Sequence, residues 1–350
     1  MPGAKNISAG SPALVGITMG CPVGIGPEII LRFAAKKKKL DQFLPIIIGD
    51  VDVLSRCAKK MQVHIDIVPW QPGDPFEVDK LQVIEPGASQ DYSLDVENLQ
   101  WGKPSKETGH AAAAYITKTV QLIQQGVLDA MVTCPIAKYA MQLAGYKFPG
   151  HTEMLASLCN TENYGMMMAG NRLKVSLVTI HTPLSKVPEK ITQDEIIRII
   201  HLTGDTLVRD FGITRPRIAV AGLNPHSGES GIFGDEEIRV IGPAVSGAAS
   251  EKYEVSGPLP PDTVFNKAMD NKYDAIVAMY HDQGLIPFKL VHFDDGVNLT
   301  MGLPIIRTSV DHGTAYDIAG KGLASSSSLE ASFAMAAQII ANREKYKKMS

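Results

Sequence analysis

The sequence is poor in the features that most readily mark a compartment or a macromolecular partner. Its four cysteines, Cys21, Cys57, Cys134 and Cys159, are widely scattered and form no C-x-x-C pair. That argues against a zinc ribbon or a disulfide framework and for a reducing cytoplasm. A net charge of −3 is too small in either sign to ask for nucleic acid or an anionic membrane surface. The one basic run, Lys36-Lys37-Lys38-Lys39, reads as a solvated helix end. No apolar run approaches the ~20 residues of a membrane span, and no basic stretch leads into an apolar one as in a secretory leader. The expectation is a soluble cytoplasmic protein that binds neither nucleic acid nor membrane.

What is present is an ordinary globular composition, 45% apolar and 20% charged, in a chain long enough for two domains. Apolar runs read as buried strands at Ala13 to Met19, Leu44 to Ile48, Leu128 to Cys134, Arg217 to Leu223 and Tyr273 to Tyr280. Two more, Tyr164 to Ala169 and Leu173 to Ile180, flank Gly170-Asn171-Arg172 and read as a hairpin. Helical periodicity follows the strands: from Ile29, over Val51 to Met61, over Glu107 to Gln125, from a capping box at Thr192-Gln-Asp-Glu195 to about Phe211, over Asp235 to Ala249, and over Leu329 to Tyr346. Ser325 to Ser328 reads as a loop. Alternation of this kind predicts an α/β protein of two lobes, each with a mostly parallel sheet. Discontinuous domains are expected, 1–140 with 305–350 and 141–304.

Histidines at strand ends carry most of the chemistry. They stand in Phe-Pro-Gly-His151-Thr152-Glu, Val-Thr-Ile-His181-Thr-Pro-Leu, Gly-Leu-Asn-Pro-His226-Ser-Gly-Glu and Ala-Met-Tyr-His281-Asp-Gln-Gly. A side chain at the carboxyl end of a buried strand faces the crevice where α/β proteins bind ligands, and imidazole is the commonest metal ligand. No H-x₃₋₅-H spacing supports a local metal motif, so cleft histidines without a metal remain the alternative. Lys289, Asn298, Arg307, Asp311 and His312 crowd one apolar stretch and read as anchors at turns or strand ends. Arginine with lysine and amide donors suits a phosphate or carboxylate. Gly24-x-Gly26 after the first strand does not complete a dinucleotide fingerprint, since the third glycine position is Ile29. Met166-Met167-Met168 reads as core.

These motifs together resemble the 4-hydroxythreonine-4-phosphate dehydrogenase family of pyridoxal phosphate biosynthesis. The matching pieces are Pro-Gly-His151-Thr152-Glu, Gly-Leu-Asn-Pro-His226, Tyr-His281-Asp-Gln-Gly-Leu, Gly-Val-Asn298 and Leu-Pro-Ile-Ile-Arg307-Thr-Ser-Val-Asp-His-Gly-Thr-Ala. The resemblance implies a homodimer with two α/β lobes per subunit and an active site shared at the dimer interface, in the cleft between lobes. It implies one divalent ion, zinc, cobalt or magnesium, on His181, His226 and His281, with His281 coming from the partner. His151, Thr152, Lys289, Asn298 and Arg307 would hold a small phosphorylated hydroxy-acid, and Asp262 matches a further active-site position. The run His312-Gly313-Thr314-Ala315-Tyr-Asp317 is similar to the nucleotide loop of isopropylmalate and isocitrate dehydrogenases, which implies an isopropylmalate-dehydrogenase-like architecture and NAD, with NADP as the alternative. Ser325 stands where that pattern usually has asparagine.

The resemblance thus implies oxidation of a CH–OH group in 4-phosphooxy-threonine to a β-keto acid, which loses CO₂ to give 3-amino-2-oxopropyl phosphate. Lys289, Asp262 and a water on the ion are the candidate bases. Cys21 replaces an acidic residue usual in the family, Cys134 a glycine or alanine, and Ala137 the polar residue before Lys138. These departures keep open a dehydrogenase of 4-phospho-threonate or 4-phospho-erythronate. A metal- and phosphate-binding protein without catalysis is the alternative of another class.

Overall fold

Strands and helices alternate along the chain, and the computed structural model describes residues 12–36, 42–87 and 94–349. In order they are β1 (Ala13–Thr18), α1 (Gly26–Ala35), β2 (Phe43–Ile48), α2 (Val51–Met61), β3 (Asp66–Pro69), β4 (Lys80–Ile84), α3 (Lys106–Gln124), β5 (Ala130–Thr133), α4 (Lys138–Leu143) and α5 (His151–Leu158). Next come β6 (Gly165–Ala169), β7 (Lys174–Leu177), α6 (Val187–Lys190), α7 (Gln193–Arg209), β8 (Arg217–Ala221) and α8 (Gly242–Gly247). The last are β9 (Glu254–Leu259), α9 (Pro261–Met269), β10 (Ala275–Ala278), α10 (His281–Val291), β11 (Val297–Met301), β12 (Arg307–Val310) and α11 (Ser327–Met349).

The chain forms two compact units, Met1–Glu162 with Leu303–Ala337, and Asn163–Gly302 with Gln338–Ser350. The first crossing comes after residue 162 rather than 140, because α4 and α5 pack on α3 and stay with the first unit. The last helix is divided rather than kept whole. Beyond Ala337 it is tied to the second unit by Arg343, whose Nε and Nη2 donate to the buried Asp210 carboxylate at 2.6 and 3.0 Å.

In the first unit the strand order is β3-β4-β2-β1-β5-β12, and every pairing is parallel. Its central strands are continuous apolar runs because both faces are covered: Val15, Ile17, Ile46, Ile47, Ile48, Met131 and Val132 are all fully buried. Helix α3 starts at a reciprocal cap, with Thr108 N–H donating to Ser105 Oγ and Ser105 N–H to Thr108 Oγ1. The neighbours of β1 lie on either side of it, β2 on one and β5 on the other. The carboxyl end of β1 is therefore a topological switch point, where open α/β sheets bind ligands.

The second unit has the order β11-β6-β7-β10-β8-β9. Strand β6 runs antiparallel to β11 and to β7, closing the hairpin at Gly170–Arg172, and the remaining pairs are parallel. Its core gathers Met168, Val175, Leu177, Ala219, Ile276 and Phe288, so the methionine run is packing. Because β7, β10 and β8 are adjacent and parallel, their carboxyl ends share one edge.

Several local readings need correction. Thr192 Oγ1 does accept from Glu195 N–H at 3.2 Å, but the Glu195 carboxylate turns to Arg198 instead of closing the box. The helix expected over Asp235 to Ala249 opens with a π-helical turn at Glu237–Ile241 before α8. The serine run is half helical, since α11 starts at Ser327, and Ser328 Oγ accepts from Asp311 N–H. Lys36 pairs with Glu330 rather than ending a free basic run, and Lys37, Lys38 and Lys39 lie outside the described residues. Among the described residues no helix is long and apolar enough to cross a membrane.

Candidate active site

The shared edge of β7, β10 and β8 carries His181, His281 and His226 in that spatial order. Within this one chain the His181 and His281 rings face each other with centroids 6.0 Å apart. His281 opens α10, and its Nδ1 lies 2.6 Å from Asp282 Oδ1. A carboxylate accepting from Nδ1–H leaves the Nε2 lone pair for a metal and fixes the ring's orientation.

His226 is not part of the pair. Residues His226 to Ser230 all have positive φ, between 42° and 79°, a left-handed turn that costs about 1–2 kcal/mol per non-glycine residue. The turn presents the His226 ring to Phe233, with centroids 6.2 Å apart. Among the described residues no three His, Cys, Asp or Glu side chains converge on a common point. The three histidines thus stand at neighbouring strand ends of one edge, with the His181 and His281 rings facing each other. The donor set still fits a divalent ion, since neutral imidazoles with a carboxylate behind one of them suit zinc or cobalt.

In the first unit the anion-binding candidates gather around β12, β5 and α5. Arg307, the first residue of β12, is 2% exposed and donates from Nε and Nη2 to Thr133 Oγ1 at 3.1 and 2.7 Å. Burial pushes its guanidinium down to about 9, against the pull of the Glu153 carboxylate, so it remains charged at neutral pH. His151 and Thr152 form the first turn of α5, where free amides favour an anion. Burial, then Arg307 and Lys138, hold the His151 imidazole well below its usual range. Its Nε2 is buried without a hydrogen-bond partner.

Lys138 is a further candidate that the sequence reading did not single out. Its Cε lies 3.8 Å, and Glu153 Oε2 3.4 Å, from where a Cβ on Gly150 would stand. The only sequence signal was its place one residue after Ala137 in the segment following β5. A lysine, an arginine and a neutral imidazole around a helix start make a site for a phosphomonoester.

The remaining candidates take separate places. Lys289 lies in the last turn of α10 rather than at a turn or strand end. Asn298 is the second residue of β11, with Nδ2 3.2 Å from Met166 Sδ. Asp262 is exposed in the first turn of α9, a helix that packs on β8, β10 and the His226 turn.

The segment His312, Gly313, Thr314, Ala315 and Asp317 follows β12 and leans on the loop after β1. Ile25 N–H donates to Thr314 O at 3.1 Å, and the Ile318 and Ala319 amides to Ala315 O. Ala315 has a φ of 42°. A Cβ on Gly24 would stand 3.2 Å from Thr314 O, and one on Gly26 only 2.0 Å from Met19 O. These glycines therefore serve close backbone packing, which is why they match no fingerprint. Gly320 N–H donates to the buried carboxylate of Glu28, fastening the far end of the segment.

Two of the family departures meet here. Cys21 and Ala137 share an apolar cluster with Val23, Ala140, Leu99 and Tyr316, and Tyr316 Oη donates to Cys21 Sγ at 3.3 Å. Burial pushes the Cys21 thiol up, so it is a neutral group where an acid is usual. Cys134 is fully buried and also shifted up by burial.

Comparison with known proteins fits this layout. The chain matches the family described as pyridoxal phosphate biosynthetic protein PdxA over residues 41–336. It is 52% identical over 327 residues to the 4-hydroxythreonine-4-phosphate dehydrogenase of Desulfosudis oleivorans, covering 92% of this chain and 95% of that one. It is 42% identical over 328 residues to the D-threonate 4-phosphate dehydrogenase of Salmonella typhimurium, covering 93% and 98%. The crystal structure of 4-hydroxythreonine-4-phosphate dehydrogenase from Klebsiella pneumoniae superposes with a TM-score of 0.84 at 40% identity, over 94% of this chain and 99% of that one. With motifs, fold and relatives in agreement, this chain belongs to the PdxA family.

Proposed function

We propose that this protein oxidises 4-phosphooxy-threonine with NAD, NADP being the alternative, in the cytoplasmic synthesis of pyridoxal phosphate. The product is a β-keto acid that loses CO₂ to 3-amino-2-oxopropyl phosphate. Dehydrogenase action on a CH–OH carbon is common to the relatives named above, and this chain is an oxidoreductase of that kind. The observation that carries the substrate class is the buried Arg307 beside the uncharged His151 at the start of α5.

In this reading Arg307, His151, Thr152 and Lys138 hold the phosphate, with Lys289 and Asn298 as further substrate contacts. His151 stays neutral, so its Nε2 either accepts from the phosphate's last proton or, as N–H, donates to an oxygen. His312, Gly313, Thr314, Ala315 and Asp317 would hold the nucleotide, which when bound would supply the hydride acceptor. His181, His226 and His281 would hold zinc, cobalt or magnesium, whose Lewis acidity lowers the pKa of a hydroxyl and stabilises an enolate. Asp282 keeps the His281 ring oriented. The hydroxyl proton goes to Lys289 or Asp262, either of which must be unprotonated to accept it.

A homodimer belongs to the same reading. Ile286, Leu290 and Phe293 are 67%, 88% and 78% exposed and lie at helical spacing on α10 and just past it. An apolar stripe of this kind marks a protein contact, and α10 also carries His281 and Lys289. Four free thiols suit the cytoplasm.

A second reading, oxidation of D-threonate 4-phosphate or the corresponding erythronate, is favoured by the apolar cluster of Cys21 and Ala137. An ammonium group gains nothing from such a surface, and a hydroxyl tolerates it better. The test is NADH formation by metal-reconstituted protein on the three phosphorylated acids, with and without chelator. Chelator-sensitive turnover of the threonine phosphate supports the first reading, and turnover of the other acids alone supports the second. No turnover of any of them would refute both.

A further inference from the structure

Helix α1 starts without a side-chain cap. Its N-cap residue is Ile25, which has no side-chain acceptor, and Pro27 lies in its first turn. Glu28 stands at the third helical position, where a glutamate ordinarily reaches back to the N-cap amide to close a capping box. Here the two groups that would bond each other are both given to the segment after β12. Ile25 N–H donates to Thr314 O at 3.1 Å, and the Glu28 carboxylate accepts from Gly320 N–H. One turn further on, Arg32 donates from Nη2 to Gly322 O. Positions 25, 28 and 32 follow one another at helical spacing and form one face of α1. Along that face the segment is bonded at Thr314, Gly320 and Gly322.

The segment is held from a second direction by the loop before α3. A Cβ on Gly320 would stand 2.6 Å from Trp101 Cγ, so the indole leaves room for glycine alone at that position. The Arg56 guanidinium lies over the Trp101 ring, 5.7 Å from its centroid. Arg56 is itself fixed, donating to Val96 O and Leu99 O at 2.7 Å each. Glu28 is fully buried, and among the described residues its Oε2 has no hydrogen-bond partner. Leaving one oxygen of a buried carboxylate unpaired costs stability, so packing alone favours an apolar side chain here. What accounts for the carboxylate is the bond its other oxygen makes to Gly320.

We propose that Glu28 is a positioning residue for the nucleotide. From the middle of the α1 face its carboxylate holds the end of the segment, and so keeps residues 312–317 in the shape that receives the nucleotide. The proposal rests on the reading of His312 to Asp317 as the nucleotide segment. A segment already ordered loses little freedom on binding, so nucleotide affinity depends on a side chain that touches no nucleotide.

The test is titration of the full-length protein with NADH or NADPH, whichever the wild type binds more tightly, followed by the fluorescence of the reduced nicotinamide. Glu28→Leu is expected to weaken binding at least ~10-fold, the scale of one hydrogen bond to a carboxylate. Glu28→Gln keeps an acceptor for Gly320 N–H and should stay within ~3-fold of wild type. In steady state the loss should appear in KM for the nucleotide and not in KM for the phosphorylated substrate, a split that general destabilisation does not produce. The double change Gly313→Leu with Asp317→Ala separates the proposal from the reading beneath it. A Cβ at Gly313 meets nothing within 4 Å, and Asp317 is exposed, so the fold accommodates both changes. If nucleotide binding survives them, the segment is not the nucleotide site, and the reading falls together with the proposal. If they abolish binding while folded Glu28→Leu keeps wild-type affinity, the reading stands and the proposal is overturned. Should Glu28→Leu not fold, Arg32→Met breaks the same face at an exposed position. It should weaken binding ~3-fold, and an unchanged dissociation constant there overturns the proposal.

Discussion

The phosphate-type pocket of the first unit and the histidine edge of the second are built on different physical terms. Arg307 is buried and already bonded to Thr133, and its neighbour His151 is held uncharged by burial. The desolvation of that guanidinium is met on folding, so an arriving anion finds a charge with little water to displace. His181 and His226 are exposed, His281 is half-exposed, and only two of the three rings face each other. His281 is oriented by Asp282, whose Oδ1 lies 2.6 Å from its Nδ1. In the proposed reading the phosphate side draws on one fold unit alone, whereas the metal side would depend on its supports.

The sharpest way to break this contrast is at Arg307. Replacing it with methionine should lower kcat/KM for the phosphorylated substrate by ~10³-fold, the scale for truncating one partner of a buried charged pair. Lysine should recover only a small part, because a point charge cannot make the forked contact. A loss below tenfold for Arg307→Met in steady-state kinetics would place the phosphate elsewhere. On the metal side, Asp282→Asn should weaken metal affinity by ~10–100-fold and leave the KM for NAD unchanged. Equilibrium competition with a chromophoric chelator measures it, and unchanged affinity would show that the ring needs no orienting carboxylate.

A smaller effect is expected at the α10 face. Leu290→Lys should raise the dimer dissociation constant at least ~10-fold, since burying a charge in an apolar contact costs more than 1.4 kcal/mol. Sedimentation velocity across a dilution series reads this directly, and wild-type behaviour would move the interface to another surface. The smallest effect is a flat pH response. An ordinary histidine gains a proton as pH falls through about 6.5 and would tighten phosphate binding. His151 is held well below that range, so between pH 8 and 6.5 the KM should change less than ~2-fold, as expected when only the phosphate's second proton, near pH 6, remains to titrate. A tightening over that window that disappears in His151→Gln would show that His151 does protonate.

Much of this was legible in the sequence where the signal is local. Continuous apolar runs announced β1, β2, β5, β8 and β10, and Gly170-Asn171-Arg172 announced the hairpin. Histidines just past those runs announced the edge on which His181, His226 and His281 stand. Less was legible where one residue's partner lies far along the chain. The Glu195 carboxylate had two local choices, and Arg198, bonded also to Tyr164 O, took it. Lys289 read as an anchor at a turn or strand end, yet α10 continues through Pro287 and carries it in its last turn. Gln283 carried no signal of its own, because Gly222, whose carbonyl accepts from its amide, lies far along the chain.

By itself the sequence determined the alternation of elements, and therefore the α/β class with its mostly parallel sheets, because 2.0- and 3.6-residue periodicities are written residue by residue. It also determined which residue types could hold an anion or a metal. Only the tertiary structure decided that β7, β10 and β8 lie side by side, that His281 sits between His181 and His226, and that Lys138 joins His151 and Arg307. Strand order and side-chain pairing depend on which apolar surfaces bury one another, and that choice is made between segments far apart in the chain.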